Sequence, residues 1–355
     1  MSERRPALSR RATLAALGAG LSAATAGVAS AQQRPLSRIS FGSCAHQDFP
    51  QPIWDAILHY RPDLHVFGGD NVYGDSRDTE MKPLKAAYEK ALTIGPFMRL
   101  RGSTRHVAIW DDHDMGANDG GATTPFKAEA KAEFLKFWNI PPNDPRHANE
   151  GLYHAETFGP DGQRVQVIVL DTRWFRSPLK ITDKRNAAGK ERYVPDDEPA
   201  RTMLGETQWK WLAERLREPA DLRLVVSTVQ LVVDGHGWER WGNFPRERQR
   251  FYDLVRETGA RGVVILSGDR HIGALYRQVD GVAYPLVEMT SSGINRFWPN
   301  SKEAGPNRLG ALYGLPNFGT VDVDWWKGEV FLALRDEAGQ MVRQHTVSFD
   351  ELGRK

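Results

Sequence analysis

The sequence predicts an α/β fold with buried sheets, and three observations carry that prediction. Six apolar runs rich in β-branched residues each end in polar side chains. Stretches with the spacing of amphipathic helices fall between them. The last stretch breaks this alternation and reads as a meander, so a second, antiparallel-containing sheet is expected.

The elements follow in chain order. RISFGSC (38–44) reads as the first strand, and PIWDAILHY after it has helical spacing. LHVFGGDN (64–71) and RHVAIWDDHD (105–114) are the next two strands. AEAKAEFLKFW then places Phe134, Phe137 and Trp138 on one helical face. VQVIVLDTR (165–173) is a strand, and GETQWKWLAERLRE after it aligns Trp209, Leu212 and Leu216. LRLVVSTVQLVV (222–233) is a similar run with a less sharp end. RERQRFYDLVRETG gathers Phe251, Leu254 and Val255 and stops near Gly259, which suits a left-handed helix C-cap. GVVILSGDRH (262–271) is the last run of this kind. VDVDWWKGEVFLALRDEAGQMVRQHTVSF is the meander, with a turn near DEAGQ.

With 355 residues and 40% hydrophobic content, the chain can bury a sizeable core. Its net charge is +2 and it has no run of basic residues, which argues against a nucleic-acid scaffold role. Residues 1–31 have a basic start, a weakly apolar stretch of Ala, Leu and Gly, and a small-x-small end at Ala29-Ser30-Ala31. Arg10 and Arg11 in SRRATLAAL resemble a twin-arginine signal, although Thr13 stands where such signals prefer a large apolar residue. A Sec signal or a short anchor is the alternative. Cleavage before Gln32 is expected to leave residues 32–355 as one catalytic domain, periplasmic or secreted, with the twin-arginine translocation machinery as a partner. No later segment has the roughly 20 apolar residues that span a bilayer. Cys44 is the sole cysteine and cannot form an internal disulfide, so it is a candidate ligand.

Ligands of open α/β folds gather beyond the C-terminal ends of strands. There this chain places Cys44, Asp70, Tyr73, Asp112, His113, Asp114, Asp171, Asp269 and His271. Several carboxylates on one rim repel each other unless they are protonated or share a cation. Carboxylates and a phenolate are hard donors that suit Ca²⁺, Mn²⁺ or Fe³⁺, whereas structural zinc calls for more cysteine. Asp70 is placed to bridge two ions about 3.5–4 Å apart, the spacing of two-metal hydrolytic sites.

GGDNVY resembles the GD-x-x-[DY] block of metallophosphatases, IWDDHD their G-N-H-[DE] block and SGDRH their G-H-x-H block. With FGSC and LDTR, the chain resembles the alkaline phosphatase D family, the PhoD-like metallophosphatases, from about Ile39 to His271. The resemblance implies a sandwich of two mixed β-sheets flanked by helices. It implies hydrolysis of small phosphomonoesters or phosphodiesters by a metal-activated hydroxide, with iron (Fe³⁺) and calcium as cofactors; Mn, Mg and Zn are further options. By position, Cys44, Asp70, Tyr73 and His271 correspond to ligands of the trivalent iron. Asp70, Asp112 and Asp269 correspond to ligands of the second ion or ions, and His113 to the histidine that contacts phosphate.

The pattern also departs from metallophosphatases at large. Ser43-Cys44 replaces the opening D-x-H, Asp112 an Asn and Asp269 a His. These changes agree with the alkaline phosphatase D branch and count against zinc. Where relatives place a further histidine, VVSTVQ leaves Gln230 as a candidate ligand or a more open site. Long members carry an extra N-terminal β domain, for which no room is expected here.

Arg270 is a candidate clamp for a phosphate oxygen, and Asn118 a candidate that reaches the metals or merely shapes a turn. Asp171 is expected to hold Arg173 or its loop. His236, Trp238 and Trp241 are candidate pocket walls. Residues 176–201 form a long charged loop expected over the site's mouth. Two other functions remain open. One is a phosphodiesterase or phospholipase D-type hydrolase with poor monoesterase activity. The other is a non-catalytic exported protein that binds metal or phosphate.

Overall fold

The computed structural model describes residues 34–354, so the expected signal, residues 1–31, lies outside the described residues. β1 (Arg38–Gly42), β2 (Leu64–Gly68) and β3 (His106–Ile109) lie side by side and parallel. β1 also pairs antiparallel with β10 (Phe318–Asp324), which continues through β11 (Glu329–Arg335) and β12 (Met341–Ser348) as the expected meander. The second sheet runs β4 (His154–Phe158), β5 (Val165–Val169), β6 (Leu222–Ser227), β7 (Val263–Ser267), β9 (Leu286–Ser291), β8 (Gly273–Gln278). Its inner strands are parallel, and β4 and β8 are antiparallel edges. Two mixed sheets flanked by helices are therefore present.

Every residue of β5, β6 and β7 is buried, as continuous apolar runs in sheets covered on both faces require. Their side chains alternate between two cores. Leu222, Leu224 and Val226 join Ile39, Val66 and Val321 in the core between the sheets. Val225 faces outward and packs with Trp209, Leu212 and Phe251. Those last three come from α6 (Gly205–Arg217) and α7 (Pro245–Thr258), and α7 ends at Gly259 with φ 65°, the predicted left-handed cap. α1 (Ile53–Tyr60) contributes Trp54 to the first core. α5 (Lys127–Phe137) contributes Phe134, while α2 (Lys82–Ala91), α3 (Gly95–Ser103) and the single turn α4 (Asp112–Met115) stand between them in sequence.

No helix among the described residues is long and apolar enough to cross a membrane. The parallel strands of both sheets end on a common rim. Ser43, just past β1, forms a parallel bridge with Ser292, just past β9. A Cβ on Gly268 would lie 2.6 Å from Ser43 Oγ, so this junction closes only with glycine there.

Candidate metal centre

Each strand ending on the rim delivers one or two functional residues. Cys44 follows β1, Asp70 follows β2, Asp111 and Asp112 follow β3, and Asp269 and His271 follow β7. Cys44, Asp70, Asp269 and His271 all have left-handed backbones, with φ of 64°, 48°, 64° and 55°. Such residues cost on the order of 1–3 kcal/mol each and persist where the surroundings fix them. Here the fixing bonds are visible: Ala45 N donates to Asp70 O at 2.9 Å and His271 N donates to Ser292 Oγ at 2.7 Å. Gly69, at φ 97°, is needed for the same reason, since a Cβ there would sit 2.7 Å from Asp111 Cβ.

These turns bring four donors together. Asp70 Oδ2 lies 3.1 Å from Tyr73 Oη and 3.6 Å from Cys44 Sγ, and Tyr73 Oη lies 3.0 Å from His271 Nε2. Ligand atoms of Cys44, Asp70 and His271 are all within 4.8 Å of one another. Asp70 is shared with a second group, Asp70, Asp112 and His113. Two further groups, Asp111–Asp112–Asp269 and Asp119–Glu239–Asp269, continue the row.

The electrostatics test whether a cation fits. Burial, reinforced by neighbouring Asp70, pushes the Cys44 thiol and the Tyr73 phenol up, and burial with Asp112 pushes Asp70 up. Left to themselves these donors hold their protons. His271 moves the other way: burial, Arg270 and Arg296 lower it to about 3, so its imidazole is neutral. Three donors that ionise only beside positive charge, with one free imidazole lone pair, fit a cation of high charge.

The rest of the acidic row is partly answered by the protein itself. Arg173 is fully buried and pairs with Asp111, with Glu239 at 2.6 Å and with Asp269 at 3.3 Å, and reaches Asp112 at 3.8 Å. Burial works against ionised Asp112, yet Arg173 and His113 hold its carboxyl well below the usual range. Glu239 takes a second partner, Arg176, at 2.8 Å. Asp171 is expected to hold Arg173 or its loop, and its Oδ1 accepts from the loop backbone, Arg173 N at 2.9 Å and Trp174 N at 2.8 Å. Arg173 and Glu239 themselves escape a reading by motif. The first is visible only as the last letter of LDTR, and the second comes from a segment with no periodicity.

His113 sits where expected. Its Nδ1 is 2.7 Å from Asp75 Oδ1, and its ring lies 4.3 Å from that of Tyr73. Burial lowers its proton affinity, but Asp70, Asp112 and Asp75 outweigh burial and raise it to about 10. His113, Asn118, Arg270 and His271 line one pocket over Asp70 and Asp112.

Several expectations need correction. Arg270 lines the pocket but is not a free clamp, because its guanidinium is buried against Glu303 and lies over the indoles of Trp238 and Trp298 at 4.9 and 5.4 Å. Gln230 is no ligand: it donates to Thr290 Oγ1 at 2.9 Å and Tyr276 Oη at 3.2 Å, and its oxygen faces His236 Nε2 at 3.0 Å. That bond also buries His236, and Trp241 packs on Trp209 and Phe251, so of the three residues considered as walls only Trp238 lines the pocket. Asn118 is exposed and lines the mouth of the pocket. Its neighbour Asp119 does reach inward, with N bonded to Asp112 Oδ2 at 2.5 Å. The long loop meets the mouth through Arg192 and Tyr193, which bind Asp119 Oδ2 at 2.9 and 2.6 Å.

Comparison with known proteins agrees with this architecture. Residues 39–309 match the model of a family described as PhoD-like phosphatase. Alkaline phosphatase D of Bacillus subtilis (strain 168) is 23% identical over 242 residues, which span 61% of this chain but 40% of that relative. The solved structure of PhoD superposes with a TM-score of 0.67 at 16% identity, covering 89% of this chain and 69% of the other. Purple acid phosphatase PPD1 from yellow lupin (Lupinus luteus) superposes at 0.58 with 10% identity, covering 89% of this chain and 54% of its own.

Proposed function

The chain belongs to the PhoD-like phosphatase family, and from that premise we propose that it is an exported, metal-dependent phosphoesterase acting on small phosphomonoesters, phosphodiesters or both. The convergence of Cys44 Sγ, Asp70 Oδ2, Tyr73 Oη and His271 Nε2 beside His113 carries this reading. In it, those four donors would hold a trivalent cation, iron by preference. Asp70, with Asp112 and Asp269, would hold a second, divalent cation such as calcium. Bound cations there supply water activation and neutralise phosphoryl charge.

The chain's own groups do the rest. Asp75 holds His113 Nδ1 and favours the protonated ring, leaving Nε2 to meet the ester. His113 then donates a proton to the leaving-group oxygen. Arg173 fixes Asp111, Asp112 and Asp269 in one arrangement, so the carboxylates do not spread apart. The half-buried indoles of Trp238 and Trp298 shield one side of the pocket from water. Export rests on the sequence of residues 1–31 and implies the periplasm or the medium as the place of action.

The test is turnover of a phosphomonoester and a phosphodiester side by side, from pH 7 to 10, with natively exported protein and Asp70→Ala. Turnover by the wild type and its loss in the variant are expected, and the ratio of the two substrates separates monoesterase from diesterase. A metal-replete wild type without turnover on either ester overturns the reading in favour of a binding protein.

A further inference from the structure

Two guanidinium groups line the pocket, and they are not equivalent. Arg270 is locked: its side chain and that of Glu303 are 3% and 2% exposed, so withdrawing it would strand a buried carboxylate. Arg192 is 34% exposed and pairs with Asp119 Oδ2 at 2.9 Å. Asp119 does not depend on that pair alone. Tyr193 Oη donates to the same oxygen at 2.6 Å, and the Asp119 backbone is tied to Asp112. Arg192 can therefore leave without abandoning a naked charge. The ring of Trp238, 5.3 Å from its guanidinium carbon, keeps the fork over the pocket whichever partner it holds.

Position favours the same conclusion. Asp119 groups with Glu239 and Asp269, so Arg192 stands at the outer end of the acidic row, facing the space above it. A phosphoryl group held there by cations on the acidic row would present its remaining oxygens outward. A planar fork binds two such oxygens at once, which an ammonium group does not.

We propose that Arg192 is the phosphate-binding residue of this site, exchanging Asp119 for the phosphoryl oxygens when an ester enters. This inference rests on the phosphoesterase reading above. It also gives the long loop 176–201 a purpose, since the segment that reaches the mouth carries the group that grips the anionic substrate.

Calorimetric titration of the metal-loaded protein with inorganic phosphate tests it. The set comprises wild type, Arg192→Gln, Arg192→Lys and Asp119→Asn, with metal content and melting temperature measured in each. Arg192→Gln is expected to weaken phosphate about tenfold or more, and to raise KM more than it lowers kcat. Arg192→Lys, which keeps the charge and loses the fork, is expected to fall between Arg192→Gln and wild type. Asp119→Asn breaks the same ion pair but frees the fork, so its phosphate affinity is expected to equal or exceed that of wild type. If Arg192 only braces the loop through Asp119, both variants weaken phosphate alike, and the inference is overturned. Unchanged phosphate affinity in Arg192→Gln overturns it too. Absence of turnover in the wild type is a separate result, because it removes the phosphoesterase reading whatever the variants bind.

Discussion

Asp70 is the residue that two of the groups able to hold a cation share, since one oxygen faces Cys44 and Tyr73 while the other accepts from His113 N at 3.3 Å. The Tyr73 hydroxyl lies against Asp70 and His271 of the first group. Replacing Tyr73 by Phe removes one hard donor and leaves the ring packing against His46 and His113 in place. Tyr73→Phe is therefore expected to bind less iron per chain while retaining its melting temperature, as elemental analysis and a thermal scan will show. An unchanged iron content would remove Tyr73 from the ligand set. The donor residues were legible because each follows a strand and lies in a short motif. Arg173, Glu239 and Glu303 were not, because their roles arise from pairing across distant loops that no local pattern encodes.

Among the elements, the inner strands were the most legible and the edges the least. β6 reads as strand because Leu222, Leu224 and Val226 fill its inner face and Val225 packs on the outer one. Leu224 on its inner face is fully buried between the sheets. Leu224→Ala is expected to cost about 2–5 kcal/mol, seen as a lower urea midpoint with an unchanged slope. β4 escaped notice because HAETF exposes polar residues as an edge strand does. α2 and α3 escaped for another reason. KPLKAAYEKA buries only Leu84, Ala87, Tyr88 and Ala91 among charges, and GPFMRLRGS has glycine and proline at its start and few apolar positions. α2 is nonetheless rich in good helix formers, whereas α3 relies on packing.

On the scale of the whole molecule, two buried histidines make stability depend on acid. Burial lowers His65 and His154 to about 3, from an ordinary value of 6.5. The folded form thus refuses protons that the unfolded chain accepts. The stability these two histidines contribute is fully present above pH 6.5 and is lost as pH falls from there toward 3. Melting temperatures are expected to drop steadily over that window, and His154→Asn is expected to make the drop shallower. An equally steep drop in His154→Asn would show that other groups govern acid unfolding.

The order of the first sheet has a further consequence, in time rather than in space. β1 is an interior strand, flanked by β2 on one side and β10 on the other, with Arg38 opposite Asp322 and Phe41 opposite Gly319. A strand at the start of the described chain thus waits for one near its end. Until that partner is available, one edge of β1 presents unpaired backbone groups, which invite association with other chains. Pairing over so long a loop is slow. Cys44 lies two residues beyond this strand, so the cluster of donors around it acquires its final shape only after the chain through β10 has been made.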